Sequence, residues 1–169
     1  MTTADLTLVG RWRAADQRQR LLQVIQPALI GLIDGTISTL APIFASAYIA
    51  GSRAALLVGL AAALGAAISM GMSEALSDDG AITGRGAALT RGTITGVATF
   101  VGGTAHALPF LISNIHTALT VAYAVVSVEL VVIAWVRRRF LGVALRTSLL
   151  QVTLGGIIVA SVGVAVGHA

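Results

Sequence analysis

Five apolar stretches, each long enough to cross a lipid bilayer as a helix, dominate this chain. A helix needs about 20 mostly apolar residues to cross about 30 Å of hydrocarbon. Only 11% of the residues are charged, against about 25% in a typical soluble domain, and the mean hydropathy is +0.91. The alternation typical of barrel strands is absent. The sequence therefore predicts an all-α integral membrane protein with five transmembrane helices, at about 21–50, 54–76, 92–112, 115–136 and 143–166.

The arginines predict the orientation of these spans. All 11 basic residues are Arg, and with a cytoplasmic N-terminus ten of them lie on the cytoplasmic side, where Arg is favoured. The ten are Arg11, Arg13, Arg18, Arg20, Arg85, Arg91, Arg137, Arg138, Arg139 and Arg146. Arg53 is predicted to lie on the opposite side of the membrane. The net charge of +4 and the pI near 11.1 could suggest nucleic acid, but no aromatic-rich soluble domain surrounds these residues. The expected partner is anionic membrane lipid, and no nucleic acid is expected.

Residues 1–20 form a polar segment too short to be a domain, and 21–169 form the predicted transmembrane domain. A cleaved signal peptide is not expected, because the first apolar run exceeds the usual core of about 7 to 15 residues and contains Asp34. The chain has no cysteine, which excludes disulfides and thiolate metal sites.

Two acidic residues interrupt the first two spans. Asp34 lies in the first span, and Glu74 follows Met70 by four residues, so Met70 and Glu74 share a helical face. A carboxylate in hydrocarbon costs about 2.5 to 3.5 kcal/mol even on the gentler insertion scales, so such residues mark function. Mixed oxygen and sulfur donors suit a metal such as Fe(II) better than Mg or Ca. The alternatives are a lipid-facing or packing role for Met70 and an interfacial Glu74 satisfied by Arg or water.

Other residues extend this prediction. Asp78 continues the Met70–Glu74 row towards the cytoplasm, and with Asp79 it could collect cations; Met72 points to another face and is expected to pack. Small residues at i and i+4 allow close helix approach in lipid. Such pairs are Gly31 and Gly35, Gly92 and Gly96, and Gly163 and Gly167. The pair at 31 and 35 brackets Asp34, and it serves either packing within one chain or a crossing between two copies.

Glu129 is the third acid within a predicted span, and three roles remain open for it. It could pair with an intramembrane His, assist proton movement, or be neutral and hydrogen-bonded. His106 and His116 lie near the outer ends of the third and fourth spans, and both are expected to be surface residues rather than ligands. Pro109 is expected to kink or end the third span.

Several motifs in order resemble the vacuolar iron transporter family. They are Asp34-Gly35-Thr36-Ile37-Ser38-Thr39, Ser69-Met70-Gly71-Met72-Ser73-Glu74, Gly102-Gly103 followed by Leu108-Pro109-Phe110, and Gly155-Gly156. The run from Ser69 to Gly86 is still more similar to the membrane domain of bacterial membrane-bound ferritins. The resemblance covers nearly the whole chain from Gln26 onwards.

This resemblance implies a homodimer of five-helix protomers in a bacterial inner membrane, with the metal path at the dimer interface. It also implies that cytosolic Fe(II) or Mn(II) is exchanged against protons, and that Asp34, Met70 and Glu74 line the path. Two departures concern metal capture. The loop from Ser77 to Arg91 lacks the Glu-rich insertion of eukaryotic members, and only about 20 residues precede the first span, where membrane-bound ferritins carry a ferritin-like domain.

Together with this resemblance, the sequence predicts a proton-coupled transporter of Fe(II) or Mn(II), with the metal as substrate and no permanently bound cofactor. Export from the cytosol is what the resemblance implies. A soluble ferritin-like protein could supply the iron. The alternative is a membrane anchor for a soluble iron-storage partner, without transport. An enzyme is not expected, because Ile33-Asp34 lacks the Gly-x-Gly-Asp context of intramembrane aspartyl proteases.

Overall fold

The computed structural model describes residues 15–169, and this part of the chain folds into helices without strands. A helical segment at 15–20 continues through a π-helical turn, Leu21–Ile25, into α1 (Gln26–Ser38). The elements that follow are α2 (Leu40–Ser77), α3 (Ala88–Ala105), a 3-10 helix (Leu108–Leu111), α4 (Ile115–Leu141) and α5 (Leu145–Gly167). The prediction of an all-α fold is confirmed. The segment 1–14, with Arg11 and Arg13, lies outside the described residues.

Three helices of the described part are long and apolar enough to cross a membrane. They are Ala15–Ser77, Ile115–Leu141 and Leu145–Gly167. The first comprises 63 residues and so joins the first two predicted spans. Helix α3, which has 18 residues, is not among them, because Arg91 and repeated threonine and glycine lower its hydropathy.

The long first helix folds back on itself at Gly51. This residue has φ 79° and ψ −172°, a backbone conformation that residues with a Cβ rarely adopt. Residues equidistant from the turn come together. A Cβ on Gly59 would contact Ile43, and a Cβ on Gly103 would contact both Thr39 and Ala63. Helix α2 therefore consists of two antiparallel arms, 40–50 and 52–77, as expected from the three residues that separate the predicted spans 21–50 and 54–76.

Helix α3 lies between α1 and the second arm of α2, and backbone approaches backbone on both sides. Gly31 faces the carbonyl of Thr95 on α3. On the other side Gly71 and Gly92 face each other's carbonyl oxygens. Small residues allow this approach. Helix α5 packs in the same way on the first arm of α2, where Gly163 meets Ala41.

The core is apolar and lies where the two arms, the 3-10 helix and α4 meet. Its large side chains are at most 2% exposed: Leu40, Ile43, Phe44, Phe110 and Ile133. Large apolar side chains also cover the outer surface, as expected for a protein in lipid. Ile49, Leu64, Val128 and Ile158 are each more than half exposed.

The helix ends differ from the predicted spans. Helix α3 begins at Ala88 rather than residue 92, and it ends at Ala105, before Pro109, which lies in the 3-10 helix. Helix α4 continues to Leu141, beyond residue 136, because its last turn places Arg138 and Arg139 at the negative end of the helix dipole.

Candidate functional site

Asp34 and Met70 lie together in a groove on the outside of the bundle. The groove has a volume of about 380 Å³. Its other lining residues are Ile30, Ile33, Ile37 and Ser38. Ile30 is 43% exposed and Ser38 is also exposed, so the groove opens away from the core. The structure thus places a carboxylate and a thioether in an apolar outer groove.

Gly31 and Gly35 orient the helix that carries Asp34. A Cβ on Gly31 would lie 2.2 Å from the carbonyl oxygen of Thr95, and one on Gly35 would lie 2.1 Å from that of Thr99. Both glycines therefore pack against α3 of the same chain, so packing within one chain is confirmed for this pair. Asp34 lies on a different face of α1 and is left in the groove.

Glu74 is not among the residues that line this groove, because two arginines hold it. Its Oε1 accepts a hydrogen bond from Arg91 Nε at 2.8 Å, and Arg85 Nη2 lies 2.8 Å from the same oxygen. This arrangement matches the alternative of an interfacial Glu74 satisfied by Arg. Met70 and Glu74 thus share a helical face but have different surroundings.

Arg91 is the centre of this ionic cluster and is 0% exposed. Its guanidinium donates to the backbone carbonyls of Arg85, Gly86 and Asp78 as well as to Glu74. The arginine therefore ties the connecting loop to the end of α2. The role of Arg91 was not predicted, although Glu74 and Asp78 at i and i+4 with two arginines after a short loop form a signal that could have indicated it.

Asp78 and Asp79 both hold the loop in shape. Asp78 Oδ1 accepts from the Gly80 N–H at 2.8 Å, and its Oδ2 accepts from the Thr83 hydroxyl at 2.6 Å. The Thr83 hydrogen bond, followed by the one from Gly80, lowers the pKa of the Asp78 carboxyl below its ordinary value. Asp79 accepts from the Ala81 N–H at 2.8 Å and is exposed. A role in cation capture stays a prediction for both residues.

Glu129 pairs with a buried histidine, which is one of its three predicted roles. Glu129 Oε2 lies 2.9 Å from His106 Nδ1. The prediction that His106 is a surface residue is wrong, because its side chain is fully buried. Helix α3 ends at Ala105, and His106, the residue that follows it, places its side chain in the interior. His116 is exposed, as predicted.

Met70 and Met72 line different grooves, in agreement with the prediction that they point to different faces. Met70 lines the groove that holds Asp34, whereas Met72 lines a separate apolar groove between the second arm of α2 and α3. Met72 is 57% exposed, so the expectation that it packs is wrong within one chain. A third groove, of about 790 Å³, lies where the N-terminal helical segment meets the end of α4 and includes Arg18, Arg20 and Arg139. These arginines suit the headgroups of anionic lipids.

Within residues 15–169 no three His, Asp or Glu side chains come together as a metal-ligand set. No family model, no curated protein and no solved structure matches this chain. The resemblance to the vacuolar iron transporter family therefore stays a prediction. The features of the structure that bear on function are the groove and the buried polar groups.

Proposed function

We propose that this protein is a proton-coupled transporter that moves Fe(II) or Mn(II) out of the cytosol across the bacterial inner membrane. The observation that carries the proposal is the joint placement of Asp34 and Met70 in an apolar groove on the outside of the bundle. A carboxylate facing lipid is costly, so this position calls for a polar ligand or a covering partner.

The covering partner that we propose is a second copy of the chain. A two-fold axis beside the groove would bring together two Asp34 carboxylates and two Met70 thioethers. This set of two oxygen and two sulfur donors fits a borderline divalent metal, and it would complete a site for which residues 15–169 of one chain supply too few ligands. Each protomer would cross the membrane five times, with its N-terminus in the cytoplasm, and the turn at Gly51 would lie outside.

Competition between metal and protons supplies the coupling. A carboxylate must be deprotonated to bind metal, so metal and protons occupy the site alternately. Glu74 is retained as a predicted ligand, but Arg85 and Arg91 would first have to release it. Export, rather than uptake, follows from the family resemblance.

Reconstituted vesicles provide the test. Fe(II) and Mn(II) flux is measured under an imposed pH gradient for wild type, Asp34→Asn and, as a matched control, Asp16→Asn, which removes an exposed carboxylate outside the groove. We expect gradient-driven flux in wild type and the control, and loss of flux in Asp34→Asn. Wild-type flux in Asp34→Asn would refute the site.

The dimer has an independent test, because the chain has no cysteine. Ile30→Cys, on the groove, should form a disulfide between two copies under mild oxidation. Val128 on α4 is 63% exposed, and Val128→Cys serves as the control, in which little crosslinking is expected. Equal crosslinking of the two variants would count against a two-fold axis at the groove.

A second candidate function is a membrane anchor for a soluble iron-storage partner. The observation that favours it is the engagement of Glu74 by two arginines, which leaves one chain with few free ligands. An anchor should tolerate Asp34→Asn without loss of partner binding, and wild type itself should show no metal flux.

A further inference from the structure

A chain of hydrogen bonds crosses the interior from Glu129 to the backbone beside Asp34. Glu129 Oε2 lies 2.9 Å from His106 Nδ1, and His106 Nε2 lies 2.8 Å from the hydroxyl oxygen of Thr39. The Thr39 hydroxyl in turn donates to the carbonyl oxygen of Gly35 at 2.8 Å. The chain thus connects α4, the end of α3 and the junction of α1 with α2.

This chain is almost completely removed from the surface. His106 is 0% exposed and Thr39 is 1% exposed, while the side chain of Glu129 is 11% exposed. The second carboxylate oxygen of Glu129 is buried and has no hydrogen-bond partner among the described residues. Burial of an unpaired charge is costly, so the protonation of these groups has a strong effect on the energy of the bundle.

The geometry specifies where the protons lie. A carbonyl only accepts, so the Thr39 hydroxyl proton points to Gly35 and Thr39 receives a proton from His106 Nε2. The ring therefore has a proton on Nε2. A second proton must lie between Nδ1 and Glu129 Oε2, because two acceptors would otherwise face each other at 2.9 Å. In this arrangement the His106–Glu129 pair is neutral overall and holds one releasable proton.

Loss of the proton on Nε2 changes the end of the chain nearest Asp34, while the other proton stays between Nδ1 and Glu129. A histidine that retains its proton on Nδ1, facing Glu129, presents Nε2 as an acceptor. The Thr39 hydroxyl then rotates to donate to Nε2 and leaves the Gly35 carbonyl. One proton leaves the protein, the pair gains one negative charge, and the end of α1 loses a hydrogen bond.

We propose that His106 and Glu129 together are a second proton-binding site of the transporter, separate from the metal-binding carboxylate of Asp34, and that Thr39 links their protonation to the backbone beside Asp34. This inference depends on the proposed transport function and adds the residues that carry its proton. Metal arrival at Asp34 and proton release from the pair would thus be coupled through the end of α1.

The ionisable groups around the pair support the assignment of the proton-binding site to His106 and Glu129. Among the described residues, the ionisable side chain hydrogen-bonded to His106 is Glu129, while its other partner, Thr39, does not titrate. Asp34 on α1 lines the outer groove. Tyr48 of α2 and Tyr123 of α4 are hydrogen-bonded to each other. Tyr123 precedes Glu129 by six residues on α4, and Tyr48 precedes the turn at Gly51 by three residues on α2.

The first test compares metal flux with and without a pH gradient in vesicles. The variants are Glu129→Gln and His106→Gln, and the control is His116→Gln, which changes an exposed histidine. We expect the two pair variants to transport Mn(II) down its own gradient but to lose the acceleration by the pH gradient, which the control retains. A pair variant that keeps full acceleration would overturn the inference and leave the transporter intact. Absence of flux in wild type would overturn the transporter and, with it, the proton site.

The second test has a readout in wild type alone. Glu74 and Glu129 are the only glutamates in the sequence, so isotopic labelling of glutamate separates their carboxyl bands from those of aspartate in infrared difference spectra. Addition of Mn(II) to wild type should change a glutamate carboxyl band, and Glu129→Gln should remove that change. If no glutamate band responds in wild type, or if the full response persists in Glu129→Gln, the assignment to Glu129 is wrong.

Discussion

Replacing Gly35 with Ala tests how closely α1 and α3 are packed. The added Cβ would lie 2.1 Å from the carbonyl oxygen of Thr99 and 2.8 Å from its carbonyl carbon. Both are backbone atoms, so no side chain can move aside. The helices would have to separate by about 1 Å or more to restore a normal contact.

The cost of this separation can be estimated from overpacked cores. Extra methyl groups in a packed core typically cost about 1 to 3 kcal/mol, and a backbone clash belongs at or above the upper end of that range. At about 2 to 4 °C per kcal/mol for a chain of this size, Tm should fall by roughly 6 to 12 °C. The measurement is thermal unfolding of the purified protein in detergent.

Gly65 is the matched control. It also lies inside a helix, but a Cβ there would meet no atom within 4 Å, and the residue is exposed. Gly65→Ala should be neutral or should stabilise by up to about 1 kcal/mol, because alanine favours helix. Equal Tm values for Gly35→Ala and Gly65→Ala would refute the close contact between α1 and α3.

Three further predictions concern polar groups. Arg91→Met should destabilise the fold by about 3 to 5 kcal/mol in thermal unfolding, because it leaves Glu74 and several carbonyls without a buried partner. Asp78→Asn should destabilise at neutral pH. Because the folded state lowers the pKa of Asp78, its contribution is present above the ordinary aspartate pKa and is lost as the pH falls through the lowered value, so Tm measured against pH should converge with wild type in acid. Asn114→Ala should cost about 1 kcal/mol, since the side chain caps α4.

Each of these three variants has a matched control, which is either a residue of the same type or a neighbour in the sequence. Arg53→Met removes an exposed arginine and should change stability by less than about 0.5 kcal/mol. Asp79→Asn changes the neighbouring exposed acid, and an identical pH profile for both variants would contradict the role of the Thr83 hydrogen bond. Ser113→Ala precedes the cap, and a loss equal to that of Asn114→Ala would show that the cap is not responsible.

Sequence alone determined the helical class, the turn near Gly51 and the presence of carboxylates within apolar stretches. These properties are local. An apolar stretch of about 20 residues must be helical in lipid, because its backbone polar groups have no water to bond to. A carboxylate within such a stretch can be identified from the sequence without knowledge of its neighbours in the fold. The spacing of Gly31 and Gly35 likewise indicates a close helix contact. It does not show whether the contacting helix belongs to the same chain or to a second copy.

Tertiary structure decided which of these groups meet. Sequence spacing put Met70 beside Glu74, yet Met70 joins Asp34 while Arg91 holds Glu74, because a loop returns Arg91 from 17 residues away. Likewise His106 looked like a surface residue, and its burial follows from the early end of α3 and from Glu129, 23 residues later, which provides its partner. Hydrogen bonds between distant residues depend on how helices pack, and no single stretch of sequence encodes that packing.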